Sequence, residues 1–119
     1  MNHVIEIRTL TLLPGTRQKF HKLYLEEALP RLQRWKFDVV AHGPSWHDEN
    51  TYYVIRRYDS LAQREEMEES YYASDDWRQG PREAMLALIE SYVDAVFEVD
   101  EMTVQGMRKQ PGRHAVRKE

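Results

Sequence analysis

Cysteine is absent from this chain, and its absence excludes several functions at once. Without thiols there is no disulfide, no thiolate nucleophile and no cysteine-ligated metal site. Long apolar runs are absent as well, since none approaches the roughly 18 residues that a transmembrane helix needs. The first residues enter a strand-like pattern directly and show no secretory signal. We therefore expect a cytoplasmic protein that does not enter a membrane.

Positive charge is scarce over most of the chain. Residues 1–104 hold 12 lysines and arginines against 19 acidic residues, a balance of −7, whereas residues 105–119 have a balance of +4. An acidic body repels polyanions, so nucleic acid is not expected as a partner. The change of charge predicts one domain over 1–104 and a basic tail over 105–119. We expect the tail to lie against an acidic surface, of a neighbouring subunit rather than its own, anchored by Val104, Met107 and Val116.

What is present is typical of one globular domain. The 119 residues are 41% hydrophobic and 31% charged, which is enough for a single core. Hydrophobic periodicity predicts strands at 3–13, 37–46, 51–58 and 92–100, and helices at 16–35, 60–73 and 81–90. The order β-α-β-β-α-β predicts an α+β, ferredoxin-like fold with one four-stranded antiparallel sheet and helices on one face.

The predicted helix at 16–35 combines an apolar stripe with an internal proline. The stripe consists of Phe20, Leu23, Tyr24, Ala28, Leu32 and Trp35. Thr16 is expected to be the N-cap. Pro30 removes a backbone hydrogen bond and disfavours helix at the preceding residue, so we predict a single bend there.

The first strand carries apolar residues on both faces. Ile5 and Ile7 point one way and are expected to lie under the helices. The other face mixes Glu6 and Arg8 with aliphatic neighbours, and a second copy packed on it would bury that mixture. We therefore predict a homodimer through the sheet face that bears Glu6 and Arg8, with these two side chains paired.

Several segments of the chain resemble the NIPSNAP domain family. They are residues 6–12 followed by Pro14-Gly15, Glu26–Pro30, Asn50, Arg57–Glu65 and Asp76-Trp77. The resemblance covers about residues 3–104 and implies a dimeric α/β barrel, in which two ferredoxin-like sheets pack face to face. The family has no single agreed activity, so the resemblance implies a fold rather than a reaction.

The chain also departs from the family pattern. Val54 and Arg56 stand where the family commonly has a His and a Trp in the third strand. The usual glycine after the first helix is replaced near Lys36-Phe37. An activity that depended on the family's His and Trp would be missing here.

Two groups of residues contain side chains of the types that bind metals or substrates. His42 and His47 lie near Asp48, but their spacing fits no known metal motif, so no metal site and no cofactor are predicted. The second group is aromatic: Tyr24, Trp35, Trp46, Tyr52, Tyr58, Tyr71, Tyr72 and Trp77. A core or a dimer interface explains most of these. The resemblance to small monooxygenase-type α/β barrels implies a cleft between sheet and helices instead, where aromatic residues and a His or Arg hold a flat substrate.

Two hypotheses of function follow. The first is a ligand-binding protein or enzyme whose cleft takes a small hydrophobic or aromatic molecule; by analogy the reaction is a cofactor-independent oxygenation or isomerisation. Its candidate residues are His21, Tyr24, His42 and Arg56, with His21 as general base if it turns inward beside Tyr24. The second is a non-catalytic homodimeric protein-interaction module with a filled core. An enclosed pocket with converging polar groups distinguishes the first from the second.

Overall fold

The chain alternates strands and helices in the order that its hydrophobic pattern predicts. The computed structural model describes residues 2–109. The strands are β1 (Asn2–Leu12), β2 (Asp38–Pro44), β3 (Thr51–Tyr58) and β4 (Ile89–Asp100). The helices are α1 (Arg17–Leu23), α2 (Leu29–Arg34), α3 (Leu61–Tyr72), α4 (Asp75–Arg78), α5 (Arg82–Leu86) and α6 (Glu101–Lys109), and a π-helical segment, Tyr24–Ala28, joins α1 to α2.

The strands form one antiparallel sheet in the order β2-β3-β1-β4. This order and the βαββαβ connection confirm the predicted ferredoxin-like α+β fold. β1 lies inside the sheet, where Glu6 is opposite Arg56 of β3 and Val96 of β4. Within residues 2–109, no helix combines the length and the apolar character needed to cross a membrane.

The two faces of β1 are the reverse of the sequence prediction. Leu10 belongs to the main core under the helices, and Glu6 and Arg8 contact residues of α3 on that same side. Ile5 and Ile7 lie on the opposite, outer face of the sheet, in a second and smaller apolar cluster. The prediction that Ile5 and Ile7 lie under the helices is therefore wrong. Both faces of β1 are partly aliphatic, so alternation alone does not distinguish them.

α6 covers part of the outer sheet face. Its Val104 is fully buried and packs in the cluster that contains Ile5 and Val40, with Met107 packed against the same cluster. The helix begins where the Asp100 side chain accepts a hydrogen bond from the Thr103 backbone N–H at 2.8 Å, which is an N-cap contact.

The predicted domain boundary falls inside this helix. Residues 101–109 form α6, which contacts β2 and β4. Arg108 donates hydrogen bonds to both carboxylate oxygens of Asp38, at 2.8 and 2.7 Å, within its own chain. The rest of the predicted tail, including Val116, lies outside the described residues.

The first helix accommodates Pro30 by widening into a π turn just before Leu29. Leu29 keeps helical dihedral angles, and its backbone N–H bonds to the carbonyl of Tyr24, five residues earlier. A π turn of this kind places an extra residue ahead of the proline ring. Thr16 takes the N-cap position without capping, since its hydroxyl donates to the Leu13 carbonyl at 2.7 Å.

The second helical layer is more divided than predicted. Ser60 caps α3 by accepting a hydrogen bond from the Gln63 N–H at 3.0 Å. The Gln63 side chain returns to the N–H of Asp59, one residue before the cap, at 2.6 Å. The predicted helix over 81–90 is too long, because α5 ends early and the last strand begins three residues sooner, at Ile89.

Candidate ligand-binding cleft

A cleft opens between the helix-bearing face of the sheet and the helices. Its volume is about 640 Å³, within the range of small-molecule sites. Most of its lining is apolar or aromatic: Leu10, Phe20, Tyr24, Ala28, Leu32, Val54, Tyr71, Tyr72, Trp77, Met85, Leu86, Ile89 and Tyr92. The stripe of the first helix supplies one wall because those side chains share a face. Its polar lining consists of Arg8, Arg56, Glu68, Glu90 and Ser91.

Arg56 is the most buried charged residue of this lining, at 3% exposure. Its Nη2 donates to the Tyr72 hydroxyl at 2.8 Å, whereas Nη1 lies 3.7 Å from Glu68 Oε2, beyond hydrogen-bond distance. Nε and Nη1 have no hydrogen-bond partner among the described residues. The guanidinium carbon lies 5.2 Å from the ring centre of Phe37, a favourable cation–π distance. Arg56 is thus a buried cation with two nitrogen atoms still able to donate.

Two buried tyrosine hydroxyls on the cleft lack a hydrogen-bond partner among the described residues, as two nitrogens of Arg56 do. Tyr24 comes from the π segment and Tyr71 from α3, and their rings are almost fully buried. Neither hydroxyl oxygen has a hydrogen-bond partner within residues 2–109. Burial raises the pKa of both groups, to about 12 for Tyr71, while the charge of Arg56 acts in the opposite direction on each. Both are therefore neutral donors at physiological pH.

A network of charged residues surrounds this end of the cleft. Arg64 Nε donates to Glu6 Oε1 at 2.8 Å, and Arg8 donates to both oxygens of Asp94 at 2.8 and 3.0 Å. Arg8 Nε is 3.9 Å from Glu6 Oε2, so the predicted Glu6–Arg8 pair is only a long contact. The close partner of Glu6 is Arg64, which the strand pattern did not indicate. Glu68 joins the network at 3.7 Å from Arg8 and Arg64.

Glu6 and Glu68 form a coupled carboxyl pair. Burial raises the pKa of Glu6, and the neighbouring Glu68 raises it further, against the opposing charges of Arg56 and Arg8. For Glu68 burial acts upward, but the neighbouring Glu6 and the hydrogen bond from the Tyr58 hydroxyl lower its pKa overall. The pKa values of the two carboxyl groups therefore shift in opposite directions.

A second polar cluster forms around Tyr52. His21 Nδ1 lies 2.6 Å and His42 Nδ1 lies 3.1 Å from the Tyr52 hydroxyl oxygen. The ring of Tyr24 is 4.9 Å from that of His42. His21, His42 and Tyr52 are not among the described residues that line the cleft. Tyr24 both lines the cleft and contacts the cluster around Tyr52.

Both the sequence and the fold were compared with those of known proteins. Residues 5–102 match the sequence model of the NIPSNAP family. The chain belongs to the NIPSNAP family. No curated protein matches it in sequence.

Solved NIPSNAP structures share its fold at low sequence identity. An uncharacterised NIPSNAP domain protein from Burkholderia xenovorans is 17% identical, with a TM-score of 0.74, over 82% of this chain and 95% of that one. A NIPSNAP family protein from Agrobacterium tumefaciens is also 17% identical, with a TM-score of 0.75, over 87% and 90%. A putative antibiotic biosynthesis monooxygenase from Bordetella bronchiseptica is 16% identical, with a TM-score of 0.63, over 85% and 98%. These likenesses show that the chain shares the α+β, ferredoxin-like fold of these proteins.

The four candidate residues fall into two places in this NIPSNAP domain. Tyr24 and Arg56 line the cleft. His21 and His42 meet at Tyr52 instead, so His21 is not placed in the cleft as a base. Among the described residues, no group of three or more potential metal ligands is arranged to hold an ion.

The sequence reasoning missed Tyr71, Glu6 and Glu68 as members of the cleft end. Tyr71 was visible only as one of many aromatic residues. Arg56 carried a clearer signal, because it occupies an inward position of β3 between Val54 and a buried tyrosine. A charged residue at such a position requires a buried partner or a ligand.

Proposed function

We propose that this NIPSNAP-family protein binds a small hydrophobic or aromatic molecule in the cleft between the sheet and the helices. The observation that carries the proposal is the apolar cleft of about 640 Å³ into which Arg56, Tyr24 and Tyr71 bring buried donors without protein partners among the described residues. Small-molecule sites commonly combine an apolar wall with a few converging polar groups. The same observation favours a ligand-binding protein over an interaction module with a filled core.

The direct test is thermal denaturation of the purified protein with a panel of flat aromatic and quinone-like compounds. A ligand that binds the folded state raises the melting temperature, and the stabilisation grows with the logarithm of its concentration over Kd. Leu86→Trp enlarges a cleft-lining residue and should reduce the shift. Leu61→Trp, at an exposed position of α3 outside the cleft, is the matched control. A panel that leaves the melting temperature unchanged would contradict the proposal.

The finer proposal is catalysis without a cofactor, by oxygenation or by isomerisation. The fold shared with a putative monooxygenase supports the first class by analogy only. The cleft offers one carboxylate as a candidate base for isomerisation, because Glu68 lines it and a carboxylate can accept a proton from an activated carbon. Incubation of any binding compound in D₂O tests for proton exchange by NMR, and an oxygen electrode tests for oxygenation. Glu68→Gln should abolish exchange while leaving binding measurable.

A further inference from the structure

We infer that the ligand is a hydrophobic carboxylate, whose carboxylate group is bound by the Arg56 guanidinium and by the hydroxyls of Tyr24 and Tyr71. This inference rests on the proposed function and names the chemical class of its ligand. The inference depends on the hydrogen-bond donors of the cleft rather than on its apolar walls. On the residues that line the cleft, the described buried atoms without a hydrogen-bond partner are able to donate: Tyr24 Oη, Tyr71 Oη, Arg56 Nε and Arg56 Nη1. A carboxyl oxygen of Glu6, beside the lining, is also buried without a partner among the described residues.

The guanidinium of Arg56 is held in place but incompletely paired. Its Nη2 is fixed by the Tyr72 hydroxyl, and its flat face lies near Phe37. Its closest carboxylate contact on the cleft, with Glu68, is 3.7 Å long. A buried guanidinium that makes one protein hydrogen bond through three nitrogens is expensive unless a ligand supplies acceptors. Arginine binds carboxylates well because its donors match their oxygens.

The hydroxyls of Tyr24 and Tyr71 indicate which chemical group of the ligand they bind. A buried hydroxyl without a partner is unfavourable, and two of them in one cleft with a buried guanidinium make a site for an oxygen-rich anion. Arg56, Tyr24 and Tyr71 all line the same cleft. A carboxylate has two oxygens and enough lone pairs to accept from all three.

The two arginines that line the cleft differ in their pairing. Arg8 is paired with Asp94 at 2.8 Å, whereas the carboxylate contact of Arg56 with Glu68 is 3.7 Å long. Arg56 is therefore the cation of the cleft with which a ligand carboxylate can pair. The apolar walls then require the rest of the ligand to be hydrophobic.

The test compares carboxylates with their neutral amides of the same shape. The probes are benzoate, 2-naphthoate and decanoate, each beside benzamide, 2-naphthamide or decanamide, with Kd measured by calorimetry on the full chain. We expect at least one carboxylate to bind about tenfold or more tightly than its amide, since the loss of one charge-assisted contact changes affinity by about that factor.

Tyr24→Phe and Tyr71→Phe locate the carboxylate without disturbing the fold. Each removes one unpartnered hydroxyl, so each should raise the melting temperature of the unliganded protein. Each should also weaken carboxylate binding about threefold to tenfold, while amide binding changes less. Tyr53→Phe, on the outer face of the sheet, is the matched control and should not affect Kd. Arg56→Lys keeps the charge and should weaken binding without abolishing it.

The outcomes separate this inference from the proposed function. Carboxylates and amides that bind equally, with no effect of Tyr24→Phe or Tyr71→Phe, would overturn the inference and leave the proposed function standing. Binding of neutral aromatic compounds alone has the same meaning. Absence of binding by every probe and by every compound of the thermal panel would overturn both.

Discussion

At the scale of the residue, Glu6 is the most informative side chain. It is fully buried, and its pKa is raised above the ordinary 4.5 chiefly by that burial. A group whose folded pKa is raised adds stability below its unfolded pKa and loses it as the pH rises through the folded pKa. Glu6 should therefore make the folded state less stable as the pH increases from about 4.5.

The first prediction follows from this loss of stability with rising pH. Glu6→Gln keeps an acceptor for Arg64 but cannot ionise, so the free energy of unfolding of the wild type relative to the variant should be larger at pH 5 than at pH 8. The difference amounts to about 1.4 kcal/mol for each pKa unit of elevation. Urea denaturation at both pH values measures it. Glu65→Gln, at an exposed position of α3, should have a small effect at both. A free energy of unfolding that increases with pH in the wild type relative to the variant would contradict the raised pKa of Glu6.

Lys36 is strained at the end of the first helix. It has a positive φ of 69°, where glycine is favoured. The Phe37 N–H bonds to the Leu32 carbonyl at 2.9 Å and the Lys36 N–H bonds to the Gln33 carbonyl at 3.0 Å, which is a Schellman C-cap with Lys36 at C′. The glycine that the family usually has here thus corresponds to a real conformational requirement.

The second prediction is that Lys36→Gly stabilises the protein. Relief of the left-handed conformation outweighs the greater freedom of glycine in the unfolded chain, for a net gain of about 0.5–1 kcal/mol in the free energy of unfolding. Lys22→Gly, at an exposed position inside α1, should instead lose about 1 kcal/mol. Chemical denaturation of the two variants decides the matter, and losses in both would argue against a strained Lys36.

At the scale of the element, the π segment is explained by the spacing of the buried residues. Phe20, Tyr24, Ala28 and Leu32 are all buried and occur at strict intervals of four. In a straight α-helix each such interval drifts by about 40° around the axis, which would turn the last residue away from the core. A wider π turn reduces the rotation per residue and keeps all four on the sheet. The spacing of four was the signal in the sequence, and Pro30 alone did not reveal it.

The third prediction separates the proline from the stripe. Pro30→Ala should preserve the fold and change the free energy of unfolding by less than about 1 kcal/mol, because packing on both sides of the π turn maintains it. Leu32→Ala removes a side chain that is 2% exposed and should cost about 2–5 kcal/mol. Denaturant melts of both variants provide the comparison. Small, equal losses would mean that the stripe is not part of the core.

The fourth prediction concerns α6 as part of the domain. Val104 is fully buried on the outer sheet face, whereas Met102 on the same helix is 83% exposed. Val104→Ala should therefore cost about 2 kcal/mol, and Met102→Ala should be nearly neutral. Thermal or urea melts measure both. An α6 that contributed nothing would make the two variants indistinguishable from the wild type.

At the scale of the whole molecule, the outer sheet face is only partly covered. α6 shields one end, and Val93 and Phe97 of the edge strand remain 69% and 42% exposed on the face that also bears Ile7. Helices occupy the side bearing Glu6 and Arg8, so the sequence prediction of a homodimer through that face is wrong about the face. An exposed apolar sheet surface and an exposed edge strand both favour association.

The fifth prediction is a homodimer through this outer face. Light scattering at micromolar concentration should give about twice the chain mass of 14.3 kDa. Phe97→Asp should produce the monomer, because a buried unpaired charge at an interface is strongly unfavourable. Tyr92→Asp, exposed on the other face of the same strand, is the control and should remain dimeric. A wild type with the mass of one chain would contradict this prediction.

Much of the fold is readable from local patterns. The four strands and the apolar stripe each depend on residues that are close in sequence, and each was predicted. The limits of α5 and the early start of β4 were not, because an aliphatic run such as Met85–Ile89 suits helix and strand equally. Arg56 and Tyr24 were selected as candidates, but their association in one cleft required the folded chain.

The sequence by itself determined the order of the elements and hence the ferredoxin-like fold, because strand and helix periods are local properties. The tertiary structure decided which face of the sheet the helices cover and which charges meet there. Arg64 reaches Glu6 across 58 residues, and Arg8 reaches Asp94 across 86. Alternation along a strand places Glu6 and Arg8 on one face, but only these distant partners make that face the buried one, since an unpaired charge could not remain in the core.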